Sequence, residues 1–138
     1  MTVGGCLYCR QPQGTDWAIR VHSGAVLSII GPMAVVHGKI QVDNGGILTN
    51  ASKTYVTGGI DIRDGGMLFN TSDTMEYAGV APSSSRVKGI QPTLKYADNE
   101  AKRNEWVQAF DELSGEARVI FNGLSDLNVN ARPRFSAA

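Results

Sequence analysis

The sequence predicts a mainly β protein: a short parallel β-helix of about three coils of roughly 20 residues, followed by a small C-terminal α+β cap. Three observations predict this fold: a template that recurs at a fixed interval, strand-type alternation within each copy, and helical periodicity near the C-terminus. We therefore expect an N-terminal arm at 1–14, β-helix repeats at 15–80 and a linker at 81–94. A helix with short strands, forming a cap and a C-terminal arm, is expected at 95–138.

Composition excludes several classes of protein. The chain has 138 residues, with 13 Lys and Arg against 13 Asp and Glu, so its formal net charge is zero. A nucleic-acid binder needs a cationic surplus to neutralise phosphates, and a hydrophobic content of 42% argues against a disordered chain. The length indicates a single domain. The chain contains 16 glycines, and only 19% of its residues are charged. Little surface charge therefore opposes self-association.

The N-terminal segment carries two cysteines and no targeting signal that we recognise. Residues 1–6 lack the basic and apolar regions of a secretory signal, and the most apolar stretch, 25–36, is too short to span a bilayer. Cys6 and Cys9 have a C-x-x-C spacing, but a zinc site normally needs four ligands and a redox pair should open a helix. We interpret them as thiols tolerated in an N-terminal arm.

A template of nine residues occurs three times and is the strongest signal in the sequence. Its copies begin at Ile19, Ile40 and Ile60, with offsets of 21 and then 20 residues. Each copy reads Ile-x-[Val/Ile]-x-x-Gly-[Ala/Gly]-apolar-Leu, so two β-branched residues alternate with polar ones before a glycine turn. Each unit is therefore strand, corner, strand and corner. Asn50 and Asn70 follow the second and third copies at the same offset.

Two architectures accommodate this unit. In a hairpin meander, Asn-Gly pairs would join antiparallel strands through tight turns. In a parallel β-helix, equivalent positions stack at the strand spacing of about 4.8 Å. The fixed period favours the β-helix, because stacking explains why individual positions repeat, and it predicts an amide ladder between Asn50 and Asn70. It also predicts three interior ladders: Ile19, Ile40 and Ile60; Val21, Val42 and Ile62; Leu27, Leu48 and Leu68.

The coil period and ladder pattern of residues 15–80 resemble short parallel β-helix segments of bacteriophage virion proteins, namely tail spikes, fibres and some capsid decoration proteins. Bacterial filament-forming and adhesin solenoids are similar in the same way. The resemblance covers a little under half of the chain. It implies an architecture and a class of roles, and it assigns no site residue. The strict six-residue pattern of the hexapeptide-repeat acyltransferases does not occur in the sequence.

The C-terminal third has a different period. Residues 75–80 are consistent with a worn fourth half-coil, and a helix is predicted over 99–113. Trp106 and Phe110 fall on one face of this helix, where they would pack on the chain's own strands, close an open end of the β-helix or bind a partner. Short strands are predicted at 116–122, at Leu124 and at 127–129, before an arm at 131–138.

We find no catalytic constellation in the sequence. His22 and His37 align with residues of changing type, which indicates surface positions. Asp43, Asp61 and Asp64 would be neighbours in a β-helix and could supply the carboxylate pair of a glycoside hydrolase, but Asp64 lies in a turn position that favours aspartate. We therefore predict a non-enzymatic protein with no catalytic residues, no metal site and no cofactor.

The candidate interface residues follow from the need to cover a short β-helix. Three coils are near the minimum for stability, and trimerisation side to side would bury further faces. Met33, Tyr55 and Met75 lie at roughly equivalent offsets, where they would line such a face or pack inside. The subunit-interface candidates are Met33, Tyr55, Met75, Trp106, Phe110, Arg132, Arg134 and Phe135.

These observations lead us to expect a virion structural protein, either a capsid decoration or cement protein or a small tail accessory protein. It would stabilise a phage particle through subunit contacts, be made in the host cytoplasm and reside in the virion. Its partners would be itself, as a homotrimer, and other virion proteins such as the major capsid protein, with no nucleic acid and no membrane. The alternatives are a carbohydrate-binding or carbohydrate-cleaving β-helix adhesin module and a filament-forming bacterial solenoid.

Overall fold

The computed structural model describes residues 2–94, 100–112, 117–125 and 134–137. These residues are mainly β, as predicted, and their sheets are parallel apart from one antiparallel pair. The strands are β1 (Thr2–Val3), β2 (Cys6–Arg10), β3 (Ile19–Val21), β4 (Val26–Ile29), β5 (Met33–His37), β6 (Ile40–Val42), β7 (Ile47–Asn50), β8 (Lys53–Val56), β9 (Ile60–Ile62), β10 (Met67–Asn70), β11 (Met75–Tyr77), β12 (Val87–Gly89), β13 (Thr93–Leu94), β14 (Ala117–Asn122), β15 (Leu124–Ser125) and β16 (Arg134–Ala137). A short 3-10 helix covers Ser84–Arg86, and α1 covers Glu100–Glu112.

Successive strands of the chain enter three sheets in turn. Sheet A has the order β1-β4-β7-β10-β12, sheet B the order β13-β11-β8-β5-β2-β14-β16, and sheet C the order β15-β3-β6-β9. Each strand of the repeats therefore pairs in parallel with the strand one unit further along the chain. The hairpin meander is wrong, because it requires antiparallel neighbours. We call the three sheets together the stack, and one strand from each sheet a level.

The three predicted columns of apolar residues lie inside the stack. Leu27 pairs with Leu48 and Leu48 with Leu68, and all three are almost completely buried. The isoleucine column of β3, β6 and β9 and the valine column beside it pair in the same register. Alternation within each strand turns these side chains inward, and burying one of them stabilises the fold by about 1.5–3 kcal/mol.

The predicted amide ladder is confirmed at the corner that follows sheet A. Asn50 Nδ2 donates to Asn70 Oδ1 at 3.1 Å, and Asn70 Nδ2 donates to the Ile90 carbonyl at 2.9 Å. Asn50 Oδ1 also accepts from the Ser52 N–H at 3.3 Å, and Asn70 repeats this contact with Ser72 at 3.2 Å. Both asparagines are buried, so their amides satisfy backbone groups that water cannot reach.

Glycine forms a second kind of corner ladder, after sheet C. Gly24, Gly45 and Gly65 occupy equivalent template positions and have φ values of 80°, 82° and 82°. This left-handed conformation is costly for residues with a Cβ atom. The glycine template therefore marks the places where the chain turns from sheet C towards sheet A.

The N-terminal segment differs from the predicted arm at 1–14. Thr2 pairs with Ser28, and Leu7 pairs with Ala34, so β1 and β2 form a level of the stack before the first template copy. Leu7 and Cys9 are buried in the main core. This level lacks the Ile-x-Val-x-x-Gly pattern in its first two strands, so the self-comparison does not detect it.

The predicted linker at 81–94 is also part of the stack. Val87 pairs with Leu68 and continues the leucine column, and Leu94 pairs with Tyr77. The half-coil predicted at 75–80 corresponds to β11 and to Val80, which forms a parallel bridge with Gly59. The proline and serine residues of this segment lie in its corners, and their composition conceals two short strands.

The C-terminal strands return to the N-terminal end of the stack. β14 pairs in parallel with β2, and β15 pairs with β3, so this end gains one more level in sheets B and C. β16 then pairs antiparallel with β14, where the sequence predicts an arm. Between the two ends of the stack, α1 packs against β5.

Helix α1 has a length suited to this return. Its 13 residues span about 20 Å at 1.5 Å per residue. Five strand spacings separate β13 from β14 in sheet B, a distance of about 24 Å. The helix is therefore nearly as long as the distance between these two strands. It lies in the segment that connects the last level of the stack with the first. The predicted Leu113 end of the helix and the strand at 127–129 lie outside the described residues.

Candidate functional site

The outer faces of the three sheets differ in what covers them, and sheet B is covered by α1. Trp106 stacks on Tyr55 with ring centroids 5.2 Å apart, and Lys53 Nζ lies 5.4 Å from the centroid of Trp106. On the same helix, Phe110 lies 5.9 Å from the ring of Tyr8. We call the buried cluster between helix and sheet the second core; it contains Cys6, Met33, Val35, Tyr55, Trp106 and Phe110.

Five of the predicted interface residues are buried within the chain. Met33, Tyr55, Trp106 and Phe110 fill the second core, whereas Met75 lies in the main core. Met75 pairs with Thr54, one position away from Tyr55, and this shift turns its side chain to the inner face. The structure thus assigns these five residues to internal packing, which corrects their predicted role at a subunit interface.

The remaining three interface candidates lie in the C-terminal segment. Arg132 is outside the described residues. Arg134 and Phe135 belong to β16, where their backbones pair with Ile120 and Val119 of β14. The segment that the sequence predicts as a clamping arm therefore contributes a strand to the chain's own sheet B.

The outer face of sheet C is charged and ion-paired. Arg20 contacts Asp43 at 3.1 Å, and Arg63 contacts Asp61 at 2.9 Å. Gln41 Nε2 donates to Asp43 Oδ1 at 2.9 Å. Burial opposes ionisation of Asp43, but the hydrogen bonds from Gln41 and Arg20 outweigh it and hold the pKa of this carboxyl below its ordinary value.

This charge pattern does not match the acid–base pair of a glycoside hydrolase. Such a pair needs one carboxylic acid that stays protonated near neutral pH. Asp43 is held ionised by its partners, and Asp61 lies within ion-pair distance of both Arg63 and Lys39. Asp64 is fully exposed and lies 3.5 Å from Arg86. The three carboxylates therefore face basic groups rather than one another.

The cysteine pair does not form a shared site. Cys9 points into the main core and Cys6 into the second core, because residues three apart on a strand face opposite sides. Neither cysteine takes part in a disulfide, and Cys9 Sγ donates to the Ala18 carbonyl at 3.2 Å. Burial raises the pKa of Cys9 to about 12, although backbone hydrogen bonds at Gly123 and Leu124 act in the opposite direction.

The described residues contain few features of a ligand site. No group of three or more His, Cys, Asp and Glu side chains in them could hold a metal ion. In the same residues, we find no helix with the length and apolarity needed to cross a membrane. A groove of about 290 Å³ lies between α1 and sheet B, at the small end of ligand pockets. It is lined by Met33, Lys53, Thr74, Glu76, Glu105, Trp106 and Ala109.

The outer face of sheet A is not covered by a described element, and few of its residues are charged. We call it face A; the outward residues of its strands are Thr2, Val26, Ser28, Ile47, Thr49, Met67, Phe69 and Lys88. Val26 is 47% exposed and Phe69 is 42% exposed. Lys88 carries the one charge among these eight residues. An exposed sheet face that carries a continuous apolar row, Val26, Ile47 and Met67, and little charge is typical of a contact surface.

The sequence contains a signal for face A that the ladder analysis passes over. In the template, the apolar residue before the final leucine is Val26, Ile47 or Met67. These residues pair in register on the outside of sheet A, while the leucines pair inside. Two consecutive apolar residues in a strand place one side chain on each face. The repeat therefore predicts an apolar row on the outer face of sheet A.

Comparison of the chain with protein-family models, with curated proteins and with solved structures gives no match in any of the three. The surfaces of the molecule are therefore the features from which a function can be inferred. Among the outer faces in the described part of the chain, sheet B is covered, sheet C is ion-paired, and face A is bare and nearly uncharged.

Proposed function

We propose that this chain is a short parallel β-helix that serves as a non-enzymatic structural subunit of a larger assembly. The β-helix is supported by the three sheets whose strands follow one another in turn with parallel register. The single observation that carries the assembly role is face A. A sheet face with two exposed large apolar side chains and one charge lowers the solubility of the protein unless another surface covers it.

Face A suits a lateral contact between copies. Its central residues, Ile47 and Thr49, are flanked by the more exposed Val26 and Phe69, so the apolar area lies in the middle of the face. Thr49 Oγ1 donates to Ser28 Oγ at 2.8 Å, which satisfies hydroxyls that an interface would dehydrate. The net charge of zero removes long-range repulsion between copies. A homotrimer would bring three such faces together around one axis.

The assembly that we favour is a bacteriophage virion, in which the protein would act as a capsid decoration or cement protein or as a small tail accessory protein. This choice is supported by the resemblance of the repeats to phage β-helix segments. Stabilisation would come from contact area with further copies and with other virion proteins such as the major capsid protein. The protein would be made in the host cytoplasm and would then reside in the virion.

The first test measures the lateral contact. Phe69→Asp places a charge beside the central residues of the proposed interface, and we expect it to abolish the lateral three-fold association in sedimentation velocity. Asn44→Asp adds the same charge at an exposed corner and should leave the trimer intact. Unchanged circular dichroism verifies that both variants fold. A wild-type protein that stays monomeric at 100 μM contradicts the trimer.

The second test measures the virion role. Particles purified from cells that encode the protein should carry it in a fixed ratio to the major capsid protein. Particles made without it should release their contents at a lower temperature, and Phe69→Asp should bind them less well than Asn44→Asp. Intact particles that lack the protein and are as heat-stable as those that carry it contradict the proposal.

A carbohydrate-binding module is the second candidate, and the outer face of sheet C favours it. Arg20, Gln41 and Asp61 pair in one row across this face, and such planar polar groups can bind sugar hydroxyls. Binding to a polysaccharide that is lost on Gln41→Ala and kept on Phe69→Asp would favour this candidate over the assembly role.

A further inference from the structure

The two ends of the stack differ, and the C-terminal end is incompletely covered. Val80, Ile90 and Leu94 are 46%, 44% and 60% exposed, which makes them three of the six exposed large hydrophobic residues in the described part of the chain. Val80 lies at the edge of sheet C, Ile90 follows the edge strand of sheet A, and Leu94 belongs to the edge strand of sheet B. We call these residues, together with β12 and β13, the open end.

Leu94 identifies the open end as an unfinished core. It continues an inner column of sheet B, in which Val36 pairs with Val56, Val56 with Tyr77 and Tyr77 with Leu94. The first three residues are buried, whereas Leu94 is 60% exposed. The described part of the chain places no strand beyond β13, so a position that is buried at every other level is exposed to solvent here.

The N-terminal end has the opposite character. Val119, Phe121 and Leu124 of the returning segment are buried there, against Leu7, Cys9 and Ile19. Sheet B extends two strands beyond β2 at this end, whereas sheet A ends at β1. Within residues 2–94, 100–112, 117–125 and 134–137, one end of the stack is therefore covered by strands of its own chain, and the other end is not.

This difference argues against head-to-tail association of copies. If β1 of a second copy paired with β12, then β2 of that copy would lie next to β13, since β1 and β2 share a level, as do β12 and β13. However, β14 lies directly below β2 and would need the position that β13 occupies. The open end consequently has no complementary end on a second copy, except another open end.

We propose that two copies associate end to end, open end against open end, about a two-fold axis perpendicular to the stack. Such an isologous contact is closed, and it covers the exposed residues of both copies at once. The two-fold axis makes the meeting edge strands antiparallel, which is a favourable pairing for exposed N–H and C=O groups. The contact shares with face A only the edge strand β12, which contains Lys88. It does not depend on the proposed function.

The test uses charge substitutions at each surface of the full chain. Leu94→Asp and, as a second variant, Ile90→Asp should weaken the end-to-end contact by at least tenfold in Kd. Phe69→Asp is the matched control, because it introduces the same charge at another exposed apolar residue. Sedimentation equilibrium of Phe69→Asp, in which face A is disabled, should show a dimer, and Phe69→Asp combined with Leu94→Asp should show a monomer.

The stoichiometry separates the two proposed contacts. If both hold, the wild-type chain is a hexamer, Leu94→Asp is a trimer and Phe69→Asp is a dimer. If Phe69→Asp is monomeric at 100 μM while the wild type is trimeric, the end-to-end contact is overturned and the lateral contact stands. If Leu94→Asp and Ile90→Asp dimerise as tightly as their parents, the dimer uses another surface and the assignment to the open end is overturned.

Discussion

At the scale of single residues, the corners of the repeat contain two kinds of glycine that are required for different reasons. Gly24 has a φ of 80° but open space around a Cβ atom. Gly46 is limited by space, since a Cβ atom there would lie 2.9 Å from the carbonyl oxygens of Val21 and His22. Gly24 is required because the backbone there is left-handed, and Gly46 is required because neighbouring levels lie too close for a Cβ atom.

Alanine substitutions separate these two requirements. Gly24→Ala should lower the free energy of unfolding by about 1–2 kcal/mol, the cost of a Cβ atom in the left-handed region. Gly46→Ala should lower it by more, because two backbone carbonyls would have to move and cannot do so independently of the level below. Urea denaturation measures both values, and an equal loss for the two variants would contradict the stacking argument.

The amide ladder makes a prediction about charge. Asn50→Asp keeps the shape of the side chain but removes the donor that binds the Ser52 carbonyl and Asn70 Oδ1. We expect it to lower stability by about 3 kcal/mol or more, since a buried acceptor would face two other acceptors. Asn44→Asp at an exposed corner is the control and should change stability by less than about 0.5 kcal/mol. A small effect at Asn50 would show that the ladder contributes little.

Residue positions were predictable where the template repeats and unpredictable where it drifts. The isoleucine and leucine columns follow from equivalent offsets alone. Met33, Tyr55 and Met75 differ in offset by one or two residues, and a shift of one residue moves a side chain to the other face of a strand. Met75 therefore lies inside and Tyr55 outside, although the sequence places them in one group.

At the scale of elements, helix α1 depends on very few contacts. Its buried side chains in the described part are Trp106 and Phe110, and the rest of its surface is polar or only partly covered. Trp106→Ala should lower the free energy of unfolding by about 3 kcal/mol, as expected when a packed aromatic side chain is removed. Gln108→Ala on the exposed side should change it by less than about 0.5 kcal/mol. Equal values for the two variants in denaturant titrations would mean that the helix is not held by the second core.

Sheet C contributes a dependence on pH. The folded-state pKa of Asp43 is lowered, so its ion pair stabilises the protein above the unfolded-state pKa of about 3.9, and this stabilisation is lost as the pH falls through the folded-state pKa. Asp43→Asn should be less stable than wild type by up to about 1 kcal/mol at pH 7 and equal to it near pH 2. Asp73→Asn, at an exposed position, is the control. A difference that persists at pH 2 would point to a cause other than charge.

The elements that sequence analysis misplaces are those without the template. β1, β2, β12 and β13 pair through the same register as the repeats, but corners rich in proline, serine or glycine interrupt their apolar residues. β1, β12 and β13 have only two or three residues each, which are too few side chains to show alternation. The pairing that completes such strands comes from the neighbouring level, which the local sequence does not contain.

At the scale of the whole molecule, the C-terminal segment connects the two ends of the stack. A chain truncated after Leu94 would lose α1, β14 and β15, leaving the second core and the edges of β2 and β3 without their cover. We expect this fragment to bind a hydrophobic dye and to aggregate, whereas a chain ending at Ser125 should remain folded. A soluble fragment 2–94 with the melting temperature of the full chain would contradict this role.

The length of α1 limits how this protein can evolve. An ordinary repeat protein gains or loses units freely, because its ends are independent of each other. Here one added unit would lengthen the path from β13 to β14 by about 4.8 Å, which corresponds to about three helical residues. Duplication of a unit would therefore increase the distance that the whole segment between β13 and β14 has to span. The number of repeats in this molecule is fixed by a segment that contains none.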